Sequence, residues 1–445
     1  MVIILLLALI IAFSLNLGAP SAFSNMSSGA LVLEFMATLV ISFLMIIRMV
    51  PNKTAQSRFV NCFLFGYTIS LLILHFYWTP VELVSAGFDS ARYYNYAATM
   101  TRGGVVLDGL NYWGVVFFYY VLFTVFGLDP LVPLFLNVLL VLYAILLLAK
   151  FLCRVGVPYK MSALLLLIPE IMYYNDMSSR EILCMVFGVI VILNFYKVYN
   201  KESSVFTMIL SVFILMLMIV IRPPYGIGVI LVMALYMLFS ARKKGKVIFY
   251  GLILVAVAVV GVGLAGNIGD TGSDVGQSLS STIEDRVGGD NTMGDDFIYS
   301  QNSMAAKLIP HNPVEFVVYG IIRTFAYVII TPGDITDPIN SFNIITDKTG
   351  YIEWTTLFMM LLIPGVYKTI RNSFKVSSEI KLLVIAFLVF FFLVGVFNTN
   401  LIQQRYRLVY DLFYFSLAII YLTERKRSKK KYSSCPMSND KITTK

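Results

Sequence analysis

The chain has 445 residues and a formal net charge of +9, yet only 13% of its residues are charged and 58% are hydrophobic. With a mean hydropathy of +0.81, that composition excludes a water-soluble domain and implies apolar runs of the ~20 residues that cross a bilayer. The four cysteines, Cys62, Cys153, Cys184 and Cys435, fall in apolar runs or cytoplasmic segments and make no exported disulfide framework; the two histidines, His75 and His311, leave no His/Cys metal site.

In chain order the segments expected to span the membrane are 2–18, 29–50, 59–78, 131–152, 161–175, 182–199, 205–221, 226–240, 247–266, 354–370, 380–398 and 408–423. The first lacks a basic n-region and a second span follows soon after, so it is expected to be retained. Lys and Arg near span ends mark the cytoplasmic side. The markers are Arg48/Lys53/Arg58, Lys150/Arg154/Lys160, Lys197/Lys201, Arg242/Lys243/Lys244/Lys246, Arg371/Lys375/Lys381 and the run from Arg425 to Lys431. All six share one side if twelve segments cross.

Two apolar stretches, Tyr112–Gly127 and Val317–Ile330, are then expected to lie on the outer surface as interfacial helices. Fourteen crossings is the alternative. The fold class is thus all-α, a polytopic membrane protein with both termini cytoplasmic and two large outer segments, about 79–130 and 267–353. Residues 1–423 form one transmembrane domain, and 424–445 a basic, disordered cytoplasmic tail suited to anionic lipid and not to nucleic acid.

Candidate chemistry gathers on the outer side. Asp89, in Phe88-Asp89-Ser90-Ala91-Arg92-Tyr93-Tyr94, can orient or deprotonate an acceptor hydroxyl, or simply cap a helix. Glu170 lies inside an apolar run, where an ionisable group marks function or else a local ion pair with Asp176 and Arg180. Arg180 and Glu181 open the next span. Arg222, before Pro223-Pro224, sits at a tight turn and can fork onto phosphate or reach lipid headgroups. Arg323, Asp334 and Asp337 are weaker candidates.

The last outer turn holds Gln403, Gln404, Arg405, Tyr406 and Arg407, with Asp411 one turn into the final span. Its arginines run against the positive-inside bias. Positions i and i+2 do not share a helix face. One arginine is expected to bind ligand and the other to pair with Asp411 or meet headgroups. No phosphate-cradling loop is present, which argues against an ATP-driven pump. No pair of interrupted helices is evident in equivalent positions of two halves, which weakens a secondary transporter.

The order of these features is an outer loop with Asp and Arg-Tyr-Tyr, an aromatic surface helix ending Phe126-Gly127, and a span with Asn137. Ser179-Arg180-Glu181, the Arg222 turn and Gln404-Arg405-Tyr406-Arg407 follow. Over about residues 80–420 this layout resembles the bacterial O-antigen and capsular polysaccharide repeat-unit polymerases, which are related to the GT-C-type membrane glycosyltransferases. The resemblance implies an inner-membrane enzyme at the periplasmic face that transfers a glycan from undecaprenyl diphosphate to a sugar hydroxyl of another lipid-linked unit.

It also implies no cofactor and no obligatory metal, and a chain-length regulator as a possible partner. Arg405, Arg222 and Arg180 would hold the diphosphate, Arg407 would support them, and Asp89 or Glu170 would serve the acceptor. Arg92, Glu181, Arg323 and Gln404 complete the substrate-binding set. A GT-C transferase of single sugars is the alternative, and Asp89 matches its first-loop acid. That loop, however, follows the third span and not the first, and Ser90 stands where a second carboxylate is usual. A transporter or flippase of a lipid-linked or anionic solute is a further alternative.

Overall fold

The computed structural model describes residues 1–17, 24–77, 89–104, 113–175, 178–202, 204–240, 315, 318–322, 324–325, 348–373, 377–397 and 404–433. Every regular element among them is helical. The first five helices are α1 (Val2–Asn16), α2 (Ser28–Met49), α3 (Lys53–Ile73), α4 (Asp89–Thr101) and α5 (Trp113–Phe126). Helix α6 (Leu131–Arg154) leads to a broken segment, comprising α7 (Tyr159–Ser162), a 3-10 turn (Ala163–Leu167) and α8 (Pro169–Tyr174). Then come α9 (Arg180–Tyr199), α10 (Val205–Ile221), α11 (Pro223–Ser240), α12 (Lys348–Ser373) and α13 (Ser378–Phe397). A 3-10 turn (Gln404–Arg407) enters α14 (Leu408–Ser433).

Six of these helices are long and apolar enough to cross a membrane: Ser28–Met49, Lys53–Tyr77, Leu131–Arg154, Arg180–Tyr199, Pro223–Ser240 and Ser378–Gly395. The protein is therefore an all-helical membrane protein, with six candidate crossings among the described residues where twelve were expected. The expected spans 2–18 and 205–221 are helices of 15 and 17 residues, and 247–266 lies outside the described residues.

The expected continuous span 161–175 is not one helix. Pro169 has no amide proton to donate and pushes Ile168 into an extended conformation, with ψ of 117°, so α8 has to start afresh. Irregular backbone at membrane depth is tolerated only where protein covers it, and here it is covered. Ala163, Leu165, Leu166 and Ile168 are buried, and Gly66 of α3 lies so close that a β-carbon there would come within 3.0 Å of the Leu166 carbonyl oxygen.

The expected surface helix over Tyr112–Gly127 exists as α5, but it does not simply float at the interface. It packs along α4 and against α10, burying Val115, Val116, Tyr119 and Phe123 while Phe117, Val121, Val125 and Phe126 stay exposed. Of the second expected surface helix, residues 318–322 and 324–325 are helical. The tail also departs from expectation, because α14 runs through Arg425–Lys431 to Ser433. The first part of a segment expected to be disordered is thus helical.

Helices α6 and α9 form the hub, with 78% of each apolar window buried against 33% for α2 at the rim. Around α9 pack α6, α10, α11 and α14, while α12 and α13 lie against α14. One end of this bundle carries Arg154 paired with Glu202 at 2.6 Å and Tyr196 donating to Glu379 at 2.7 Å. Those bonds bring the basic markers near Arg154, Lys197 and Lys381 to a common end. The opposite end gathers the N-termini of α9, α11 and α14.

Candidate functional site

At that opposite end two clusters form, joined by the 3-10 turn Gln404–Arg407. The first is built on Glu181. Ser179 caps α9, its hydroxyl accepting from the Glu181 amide at 3.2 Å and donating to the Glu181 carboxylate at 3.0 Å. A carboxylate in a first helical turn also meets the positive end of the helix dipole. Arg222 ends α10 in an extended conformation, with φ −158° and ψ 92°, because the following Pro223 disfavours helix at the residue before it. Its guanidinium is thereby turned back onto Glu181, to which Nη1 donates.

The same guanidinium lies 4.7 Å from the ring of Tyr225 and 4.5 Å from that of Tyr406, a doubly stacked cation. Arg180 shares Glu181, with Nε 3.5 Å from its carboxylate, and lies 5.7 Å from the Tyr93 ring on α4. Two guanidiniums thus converge on the Glu181 carboxylate. Arg180 and Arg222 keep 14% and 13% of their side chains exposed, so an anion can reach both.

The second cluster is sealed. Arg407 is fully buried and donates through Nε to Glu170 and through Nη1 to the Thr356 hydroxyl, each at 2.5 Å. The Glu170 amide donates to the Thr355 hydroxyl at 3.1 Å. Asp411, one turn further along α14, is also fully buried. The ion pair joins residues 237 apart in sequence and ties α8 to the entry of α14. The local pairing of Glu170 with Arg180 considered from the sequence does not occur. Asp176 lies outside the described residues.

The sequence candidates therefore separate. Arg180, Glu181 and Arg222 come together, with Arg92 half-buried on α4 beside Tyr93. Glu170 and Arg407 come together in the sealed cluster, both fully buried. Asp89 opens α4, and Gln404 and Arg405 open the last 3-10 turn, but their side chains lie outside the described residues, as does Arg323. Sequence reasoning missed Thr355 and Thr356, which read as two unremarkable polar residues at the start of a span. It also missed Tyr93 and Tyr225 as ring partners of the arginines.

Asn137 of α6 braces the site from below, its side-chain amide donating to the Asn175 carbonyl at 2.9 Å where α8 ends. Asn137→Ala is expected to cost the roughly 1–3 kcal/mol of an orphaned buried polar group, read as a lower unfolding midpoint in detergent.

Among the described residues no group of three or more His, Cys, Asp or Glu side chains is placed to hold a metal. No family model, curated protein or solved structure matches the chain.

Proposed function

We propose that the chain is a membrane glycosyltransferase of the repeat-unit polymerase class. On this reading it joins oligosaccharides carried on undecaprenyl diphosphate into O-antigen or capsular polysaccharide, at the periplasmic face of a bacterial inner membrane. One observation carries the reading: Arg180 and Arg222 both reach the Glu181 carboxylate, keep an exposed edge, and are framed by Tyr93, Tyr225 and Tyr406. Such a group suits a diphosphate next to a sugar ring.

The acceptor hydroxyl attacks the anomeric carbon as the bond to the diphosphate oxygen breaks, with inversion and no covalent intermediate. Arg180, Arg222 and Arg405 stabilise the charge that develops on the leaving diphosphate. Asp89 takes the hydroxyl proton. Glu170 and Arg407 act from behind, fixing the turn that carries Arg405 and Tyr406. Arg405→Ala is expected to lower polymer formation from purified lipid-linked units by about 10²–10³-fold, in line with loss of one preorganised donor, at unchanged protein level. Full activity in Arg405→Lys would remove the forked role.

A second reading, carriage of a lipid-linked or anionic solute, is favoured by the broken segment from α7 to α8, since interrupted helices mark solute sites in carriers. Deleting the gene and sizing the surface glycan on a gel separates these. Loss of the ladder with a single unit remaining supports the polymerase. A persistent ladder whose units lack one sugar supports the GT-C alternative. An unchanged glycan sinks both and leaves the carrier.

A further inference from the structure

The sealed cluster has a charge problem that the proposed reaction does not use. Glu170, Arg407 and Asp411 are each completely buried. Arg407 is bonded to Glu170 and to Thr356. Neither oxygen of Asp411 has a hydrogen-bond partner, and Oε1 of Glu170 has none.

Among the described side chains of the elements packed on α14, none brings a further charge to Asp411. Helix α12 contributes Thr355 and Thr356, and α13 contributes the rings of Phe387 and Phe391, packed on Tyr410 and Tyr414. Electrostatically, Asp411 feels Glu170 and Arg407, and the nearby phenols are Tyr410 and Tyr414. Helix α9 brings Arg180 and Glu181, but these belong to the first cluster, where Arg222 feels Glu181, Tyr225, Tyr406 and Cys184.

Among the described groups, two buried carboxylates face one guanidinium, which leaves one negative charge unanswered. Two carboxylates sharing one site do not both ionise, and an unpaired buried charge is far more costly than a proton taken up.

We propose that Glu170 and Asp411 form a proton-binding site, holding one exchangeable proton that sits on Asp411 while Glu170 remains ionised against Arg407. The inference stands independently of the glycan reading. Loss of the proton puts a second negative charge beside Arg407 and competes with Glu170 for it. Arg407 is next to Tyr406, whose ring lies on Arg222. The proton therefore sets the register of the turn under the anion-binding cluster, and binding there becomes sensitive to local pH.

The test is infrared spectroscopy of the full chain in lipid nanodiscs, unlabelled and with carbon-13 in the aspartate carboxyls. Expected at neutral pH is a carbonyl band of a protonated, exchangeable carboxyl that shifts with the label, shifts in heavy water, and disappears in Asp411→Asn. A spectrum with no label-sensitive protonated carboxyl would overturn the proposal and needs no variant to fold.

Stability gives an independent readout. A carboxyl protonated in the folded state and ionised in the unfolded state makes folding take up a proton. The folded-to-unfolded ratio then falls with rising pH, by about tenfold per unit, between the unfolded and folded pKa. Wild type is expected to show that fall on unfolding in mixed micelles, and Asp411→Asn to lack it. Equal slopes in the two proteins would overturn the assignment to Asp411.

Discussion

Arg407→Leu is expected to strip most folded protein from detergent extracts. The guanidinium is fully buried and answers the Glu170 carboxylate, itself fully buried. Removing one partner of a buried pair costs about 3–5 kcal/mol, because the other is left charged and unanswered. That is a large share of a typical total of roughly 5–15 kcal/mol. Lysine is expected to rescue little. Arg407 uses Nε toward Glu170 and Nη1 toward Thr356, two donors held in a fixed fork that an ammonium lacks. Arg407→Leu combined with Glu170→Leu should recover much of the loss, since both charges leave together. Monodisperse yield and unfolding midpoint measure all three, and an unchanged midpoint in Arg407→Leu would contradict the pairing.

The second large effect is expected at Gly114, on α5. A β-carbon there would stand 2.3 Å from the Val220 carbonyl oxygen and 2.8 Å from the Ile221 amide nitrogen. Those atoms are backbone, so no side chain can swing aside. Gly114→Val has to push α5 away from the last turn of α10, the turn that delivers Arg222 to Glu181. Overpacking of this kind costs about 1–3 kcal/mol. The consequence to measure is functional as well as thermal: anion binding at the Arg222 cluster, read by titration with inorganic diphosphate, should weaken more than in the matched control Gly29→Val. Position 29 faces open space apart from the Ser27 hydroxyl at 3.9 Å. Equal diphosphate binding in the two variants would mean that α5 does not brace the cluster.

Much of the helical inventory was legible because apolar runs near bilayer length speak for themselves, as in Leu131–Arg154 and Arg180–Tyr199. The break at Ile168-Pro169 was equally present in the sequence, since a proline inside an apolar run interrupts it. It was hidden because hydropathy averages over the break. The Arg222 turn could be read from Pro223-Pro224, and its meeting with Arg180 was an expectation that the family resemblance supplied.

What no local pattern carried was the pairing. Glu170 and Arg407 lie 237 residues apart, and a buried ion pair has no periodic signature. Charge counting alone left Arg407 to Asp411, a headgroup or a diphosphate, yet it is sealed and its ion pair is with Glu170. Its neighbour Tyr406 faces the other cluster, as adjacent positions on a tight helix diverge. Thr355 and Thr356 were invisible for the same reason: a hydroxyl in a span reads as filler until the donor it answers is known.

Helix α10 has 17 residues, a length of about 26 Å, while the hydrocarbon layer is ~30 Å thick. A span too short for its bilayer is accommodated by local thinning. Arg222 stands at the end of that short helix. If α10 crosses the bilayer, the lipids bordering it would dip at this spot and carry their headgroups toward the depth of the Arg222 guanidinium, so that the membrane's own deformation would bring phosphate groups to it.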